Sequence, residues 1–270
     1  MSDTSGSVEG NSFTTDLVTS IKHPDFWGFS SWLDLVTKYR RSALGLVWIL
    51  LPPVCYVFGI GYFYSLLFGR ESLPFMVHLG IGYVLWRMIT QVITGASTTM
   101  ATHRAFIMDG RIRYTDYVLR IFAKSAFYFV VTAVILVPLV TMVSPPLLGV
   151  ASLAVTLPIF IVNVLWLGVV VAVLGARYPD LHELSSTVFI FGFLLTPIIW
   201  QASLTPADTW RGFVARLNPA FHLIEFVRAP VLGEPIEALT YWVIAGMTVG
   251  GCLLAAYVYR RYSRYIAVWL

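Results

Sequence analysis

Apolar residues along this chain do not alternate with polar ones; they gather in long blocks joined by short charged or proline-bearing links. Charge-free runs cover Leu44–Phe68, Ser125–Val143, Leu147–Ala176, Leu184–Trp200 and Leu239–Tyr259, and a sixth run, Phe75–Thr99, is broken only by Arg87. About 20 apolar residues wound as an α-helix cross the hydrocarbon layer of a bilayer. The pattern predicts an all-α polytopic membrane protein with six transmembrane helices. Links such as Ser144-Pro145-Pro146 are short enough to make neighbouring spans antiparallel hairpins.

Three stretches depart from this scheme. Asp25–Tyr39 puts Phe26, Phe29, Leu33 and Val36 on one helical stripe with Trp27 and Trp32 beside it, while Asp34, Lys38 and Arg40 lie away from it. That arrangement predicts an amphipathic helix in the membrane interface, where aromatic rings are preferred; a plain extension of the first span fits the same residues. Gln201–Glu237 is too charged for a span and too apolar for a solvated linker. Short re-entrant helices, broken at Asn218-Pro219 and Pro230, are predicted there. Residues 1–22 are polar, rich in Ser and Thr, and without the apolar core of a signal peptide, so they read as a disordered cytoplasmic tail. Residues 23–270 are left as a single membrane domain.

Composition excludes a soluble fold. The 270 residues are 58% hydrophobic and only 12% charged, against roughly 25% charged in soluble domains. Such a chain lacks the charge to coat a water-facing surface. The net charge of +4 does not point to nucleic acid, because the basic residues flank apolar blocks instead of forming one face. With the N-terminus in the cytoplasm, thirteen of the 18 Lys and Arg residues fall in inner segments, four in outer ones and Arg87 within a span. This bias predicts both termini on the cytoplasmic side. Cys55 and Cys252 each lie in an apolar stretch and are expected as small buried thiols without a disulfide.

Candidate chemistry is sparse. None of the three lysines follows a glycine, so the Gly-Lys-Ser/Thr core of a phosphate-binding loop is missing. Asp180, His182 and Glu183 share one inner loop, where capping of a short helix after Pro179 and a metal site both fit. Arg87 is set about 12 residues, or roughly 18 Å, from the outer end of its span. A central arginine costs roughly 2.5–3.5 kcal/mol there, so it must face protein, water or an anion. Pro52-Pro53 is expected to kink the first span, and Gly246 and Gly250 to offer a face for close helix approach. Ala101–Ala123 carries Arg104, Asp109, Arg111, Arg113, Asp116 and Arg120 and is longer than a turn needs. Docking of a cytoplasmic partner and ordinary inner-side charge both fit that segment.

Several stretches, in order, resemble the permease subunit of ABC exporters for polysaccharides, the group of O-antigen, capsule and teichoic-acid exporters. "KYRRSALGLVWILLPP" (Lys38–Pro53) is similar to that family's basic entry to its first span. "LGARYPDL" (Leu174–Leu181) resembles its inner loop after the fourth span, although the family more often has a basic residue where Pro179 stands. "LLTPIIW" (Leu194–Trp200) looks like the end of its fifth span, and "LNPAFHLIEFVRAPVLG" (Leu217–Gly233) like its outer-segment signature, with a leaning toward O-antigen exporters. The resemblance covers about residues 25–265. It implies a transport subunit of a bacterial inner membrane, not an enzyme, assembled as a homodimer with two copies of a separate ATP-binding subunit. That subunit would hold ATP and Mg, with no cofactor in this chain. The implied substrate is an undecaprenyl-pyrophosphate-linked glycan.

On that resemblance Lys38, Arg40 and Arg41 form the substrate entrance, and Arg87, Tyr56, Tyr62, Trp86 and Trp200 are channel candidates. Arg104, Asp109, Arg111, Arg113, Arg177, Asp180 and Glu183 couple to the ATPases. A permease for a drug or another lipid would share the architecture. A membrane-embedded transferase would need acidic or histidine groups converging at membrane depth, where His78 stands almost alone. A channel would need a selectivity ring, and none is visible.

Overall fold

The computed structural model describes residues 13–40, 42–110 and 112–270, and the regular structure among them is helical throughout. Two helices, α1 (Phe13–Lys22) and α2 (Asp25–Tyr39), precede the first span. That span changes helix type three times: a 3₁₀ turn over Gly45–Ile49, then α3 (Leu51–Val54), a π turn over Cys55–Ile60 and α4 (Gly61–Leu67). Pro52 and Pro53 sit in the first turn of α3, where the missing N–H groups would have had no intrahelical partner. The expected kink therefore takes the form of a restart at the proline pair and a π turn after it. Cys55 is exposed, not buried as its apolar setting predicts.

The remaining helices are α5 (Ser72–Thr102), α6 (Arg104–Met108), α7 (Tyr114–Met142), α8 (Leu147–Arg177), α9 (Leu181–Leu195), α10 (Trp210–Leu217), α11 (Pro219–Val231) and α12 (Ala238–Trp269). Among the described residues, five segments are long and apolar enough to cross a membrane: Val47–Leu67, α5, α7, α8 and α12. α5 is the hub, packed against α4, α7, α8, α9 and α11. α8 approaches it so closely that a Cβ on Gly175 would collide with the Ser97 backbone. Gly251 plays the same part where α12 crosses the indole of Trp166. The predicted close-approach face at Gly246 and Gly250 is instead open, with nothing within 4 Å of an added Cβ.

The run Leu184–Trp200, predicted as a full span, divides. Its helix, α9, has 15 residues and so reaches about 22 Å, short of the roughly 30 Å hydrocarbon layer. Thr196 ends it, because the following Pro197 drives its neighbour out of the α region. Asn218 separates α10 from α11 as predicted; its side chain accepts from the Ala220 amide at 3.0 Å, with Pro219 at the first helical position. Pro230 does not break α11, which runs on to Val231 before Gly233 turns the chain with φ +75°. Most of α11 is buried against α5, α8 and α12.

One further expectation is corrected. Residues 13–22, expected in a disordered tail, form α1, while residues 1–12 lie outside the described residues. An apolar and polar face dock α1: Phe13 packs on Tyr259, Asp16 accepts from the Tyr259 hydroxyl at 2.8 Å, and Ser20 bonds Thr115 at 2.7 Å. The charged segment Ala101–Ala123 is largely helical, since α7 starts at Tyr114 and α6 fills much of the rest.

The glycine contacts make a paired prediction. Gly175→Ala should destabilise the purified protein by about 1–3 kcal/mol through overpacking, whereas Gly246→Ala should leave its melting temperature in detergent unchanged or slightly raised.

Candidate functional site

Arg87, Thr90, Gln91, Thr94, Gly95 and Thr98 are half-buried on a helix whose other residues in that stretch are enclosed. Their spacing of three and four residues places them on one face of α5. Opposite stand Asp34, Thr37 and Lys38 of α2, Lys124, Ser125 and Tyr128 of α7, and His182 in the first turn of α9. Between them runs a groove with two adjoining lobes of about 480 and 300 Å³. Thr94 and Thr102 donate their hydroxyls to carbonyls four residues back, whereas the buried Thr90 and Thr99 hydroxyls have no partner in the protein.

The floor of the groove is ionic. Arg120 clasps Asp34 with two bonds of 2.7 and 3.1 Å, and Lys124 stands 3.8 Å from the same carboxylate. Arg120 also donates to His103 Nε2 at 2.9 Å, while His103 Nδ1 lies 2.7 Å from the Thr99 carbonyl. Since a guanidinium only donates, Nε2 must accept and Nδ1–H must donate, so the ring is the neutral tautomer. Burial, with the Arg120 charge acting the same way, lowers the His103 pKa below its ordinary value. Lys38, Arg120 and Lys124 against Asp34 leave this end of the groove with two uncompensated positive charges.

Tyr128 joins the floor to the deeper wall. Lys38 Nζ lies 5.8 Å and the Arg87 guanidinium 5.4 Å from its ring centre, so two cations share one ring. Its hydroxyl is 3.3 Å from that of Tyr39. Arg87 Nη1 is buried without a hydrogen-bond partner. This donor is unspent, beside the Tyr128 ring that lines the groove.

The structure gathers some of the predicted residues and disperses others. Lys38 and Arg87 flank Tyr128; Arg40 is exposed at the end of α2, and Arg41 lies outside the described residues. Tyr56 stacks on Tyr83 at 4.3 Å and meets Phe193 edge-on, while Trp86 is buried against Phe189 and Phe193. Tyr62 is exposed on α4, and Trp200 stands past the end of α9, its indole N–H donating to the Leu194 carbonyl. These four aromatics do not line one passage with Arg87. Arg104 is exposed on α6, Asp109 is exposed just after it, and Arg113 pairs with Asp116 at 3.8 Å. Arg111 is outside the described residues. Asp180 and Glu183 are exposed at the start of α9, where Asp180 makes no side-chain cap. Arg177 lies 5.9 Å from the ring of Trp269. Ile107 of α6, Ala176 and the end of α12 share one apolar cluster, so both coupling candidates fall at the same end of the bundle.

Sequence reasoning missed Arg120, Lys124, Asp34 and Tyr128 as parts of one site, and it missed Arg228. That residue, counted only as an outer charge, is fully buried at 0% exposure. It pairs with Glu225 one turn back in α11 and donates to the Pro197 carbonyl at 2.6 Å. A Cβ on Gly82 would sit 3.0 Å from its Nη1, so that glycine makes room for the guanidinium beside α5. The nearby Trp200 carbonyl is 3.2 Å from His78 Nε2. The irregular backbone after α9 thus keeps its carbonyls satisfied inside protein. The i, i+3 spacing of Glu225 and Arg228 inside an apolar run was the available signal.

Arg228→Met should destabilise the protein by about 3–5 kcal/mol by stranding the Glu225 charge, and Glu225→Leu added to it should restore part of the loss in a melting experiment. His103 makes a pH-dependent contribution. Because its folded pKa is depressed, that contribution is complete above the unfolded value and is lost as protons bind on the way down. The melting temperature should fall as the pH drops below about 6.5, and His103→Gln should flatten that slope relative to the unsubstituted protein.

No family model matches the chain. Over 203 residues, 73% of this chain and 76% of the relative, it is 23% identical to the O-antigen export system permease protein RfbA of Myxococcus xanthus. The likeness read from the quoted motifs thus reappears in a curated relative, and five membrane-capable helices accord with it. The chain is a multi-pass helical protein similar to an O-antigen export permease.

Proposed function

We propose that this chain is the permease subunit of an ABC exporter that takes a lipid-linked polysaccharide, of the O-antigen type, across the bacterial inner membrane. The observation that carries this reading is the cationic groove between α2, α5 and α7. Lys38, Arg120 and Lys124 present positive charge at its mouth, and Arg87 stands over the Tyr128 ring that lines it deeper in. A pyrophosphate linked to a polyprenol supplies the matching anion, and its lipid tail can remain beside the exposed apolar residues of α2.

In this reading the end bearing α1, α2 and α6 faces the cytoplasm, as the distribution of basic residues requires. The chain pairs with a second copy and with two ATP-binding subunits, which meet α6 and the α8–α9 turn. α9 with its irregular extension completes a sixth crossing, and α10 and α11 are re-entrant elements at the outer side. The polymer passes between the two permeases. The work of ATP hydrolysis comes from the partner subunits, since this sequence holds no phosphate-binding loop.

Juxtamembrane Lys and Arg contribute about 1 kcal/mol each toward an anionic headgroup. Replacing both Lys38 and Lys124 by Ala should weaken capture of the pyrophosphate donor by roughly thirtyfold. Export is read as surface glycan in a complemented deletion strain, with full-length polymer left on the cytoplasmic side. Unchanged surface glycan in that double variant, at equal membrane abundance, would refute the groove as the entrance. Loss of polymer synthesis in the deletion strain would point to an enzyme instead.

A further inference from the structure

At the end of the bundle away from the groove, the start of α5, the α7–α8 link and the end of α11 enclose a second cavity, of about 230 Å³. Its wall includes Pro74, His78, Ser144, Pro146, Gln201 and Glu234. His78 is 2% exposed, and its Nε2 faces the Trp200 carbonyl at 3.2 Å. A carbonyl only accepts, so Nε2 carries the proton and Nδ1 is a bare acceptor. That Nδ1 has no partner in the protein. Ser144 holds a φ of +51°, which is costly for a residue with a side chain and persists where its surroundings require it.

The lining selects its ligand by chemistry. His78 Nδ1 accepts, Gln201 and Ser144 both donate and accept, and the proline rings present flat C–H faces. Glu234 repels a phosphate or carboxylate. Burial, and then the Glu225 charge, raise its pKa above the usual carboxylate range, while Arg228 acts against them. A neutral ring bearing several hydroxyls meets every condition. At about 230 Å³ the space lies below the roughly 300 Å³ at which drug-sized pockets begin, and it suits one such ring rather than a longer segment.

We propose that this cavity binds a single pyranose residue, with ring hydroxyls donating to His78 Nδ1 and Glu234. The inference rests on the polysaccharide-export reading for the source of that sugar, and it gives the departing glycan a foothold at the far end of the subunit.

The test uses the purified full-length protein in lipid nanodiscs and saturation-transfer NMR. The probes are methyl glycosides of glucose, galactose, mannose, rhamnose and N-acetylglucosamine, with sorbitol as an open-chain control. At least one glycoside should receive saturation, and sorbitol should not. His78→Phe and Glu234→Gln should each weaken that binding by about fivefold, the loss of one hydrogen bond, whereas Arg264→Ala should leave it intact. Binding to no glycoside, equal transfer to sorbitol, or undiminished transfer in both variants would overturn the proposal. Those outcomes are independent of transport, so sugar binding that survives while the deletion strain loses polymer synthesis would instead fault the export reading.

Discussion

The guanidinium of Arg228 holding the Pro197 carbonyl is the contact around which the α10–α11 end of the molecule is arranged. Backbone that leaves the helix at Thr196 exposes polar groups that lipid cannot satisfy, so the protein must satisfy them from within. Arg228 does so from α11, and Glu225 makes its burial tolerable. Gly82 supplies the space, and His78 accounts for the next exposed carbonyl. Removing any one of these groups leaves another without a partner, which is why helix α11, although short, is packed as tightly as the long spans.

α5 reconciles two demands that usually conflict. Toward α8, glycines and small residues let it approach as closely as backbone allows. Toward α2 and α7 it carries Arg87, Gln91 and a ladder of threonines, a polar stripe that no lipid-facing helix would keep. One helix is thus both the best-packed element and the wall of the groove. Its rigidity fixes where Arg87 sits relative to Lys38, with Tyr128 between the two cations.

How far the sequence could be read depended on the range of the interactions involved. Apolar blocks with basic flanks announce a helical membrane protein because that pattern is local, and the break at Asn218-Pro219 and the anomalous charge of Arg87 are legible for the same reason. The division of Leu184–Trp200 was also local in origin, in Thr196-Pro197, but its apolar composition concealed it. The ionic floor was not legible, because Asp34 and Arg120 are 86 residues apart and meet only when α2 lies against α7. Gly246 and Gly250 matched a packing motif, yet the contact is made by Gly251, one position on and facing a different direction. A motif gives the spacing of small residues and not which side of the helix has a neighbour.

The tie between α1 and α12 has a consequence for the order in which the chain is completed. Asp16 and Tyr259 are separated by 243 residues, so the first helix is synthesised long before its partner exists. At the usual rate of roughly 5–20 residues per second, α1 waits some tens of seconds while every span is inserted. The bond closes only on a chain that has been built through α12, so a product truncated or stalled before Tyr259 keeps the Asp16 carboxylate and the Phe13 ring without these partners, and is distinguishable by that alone from one that carries α12.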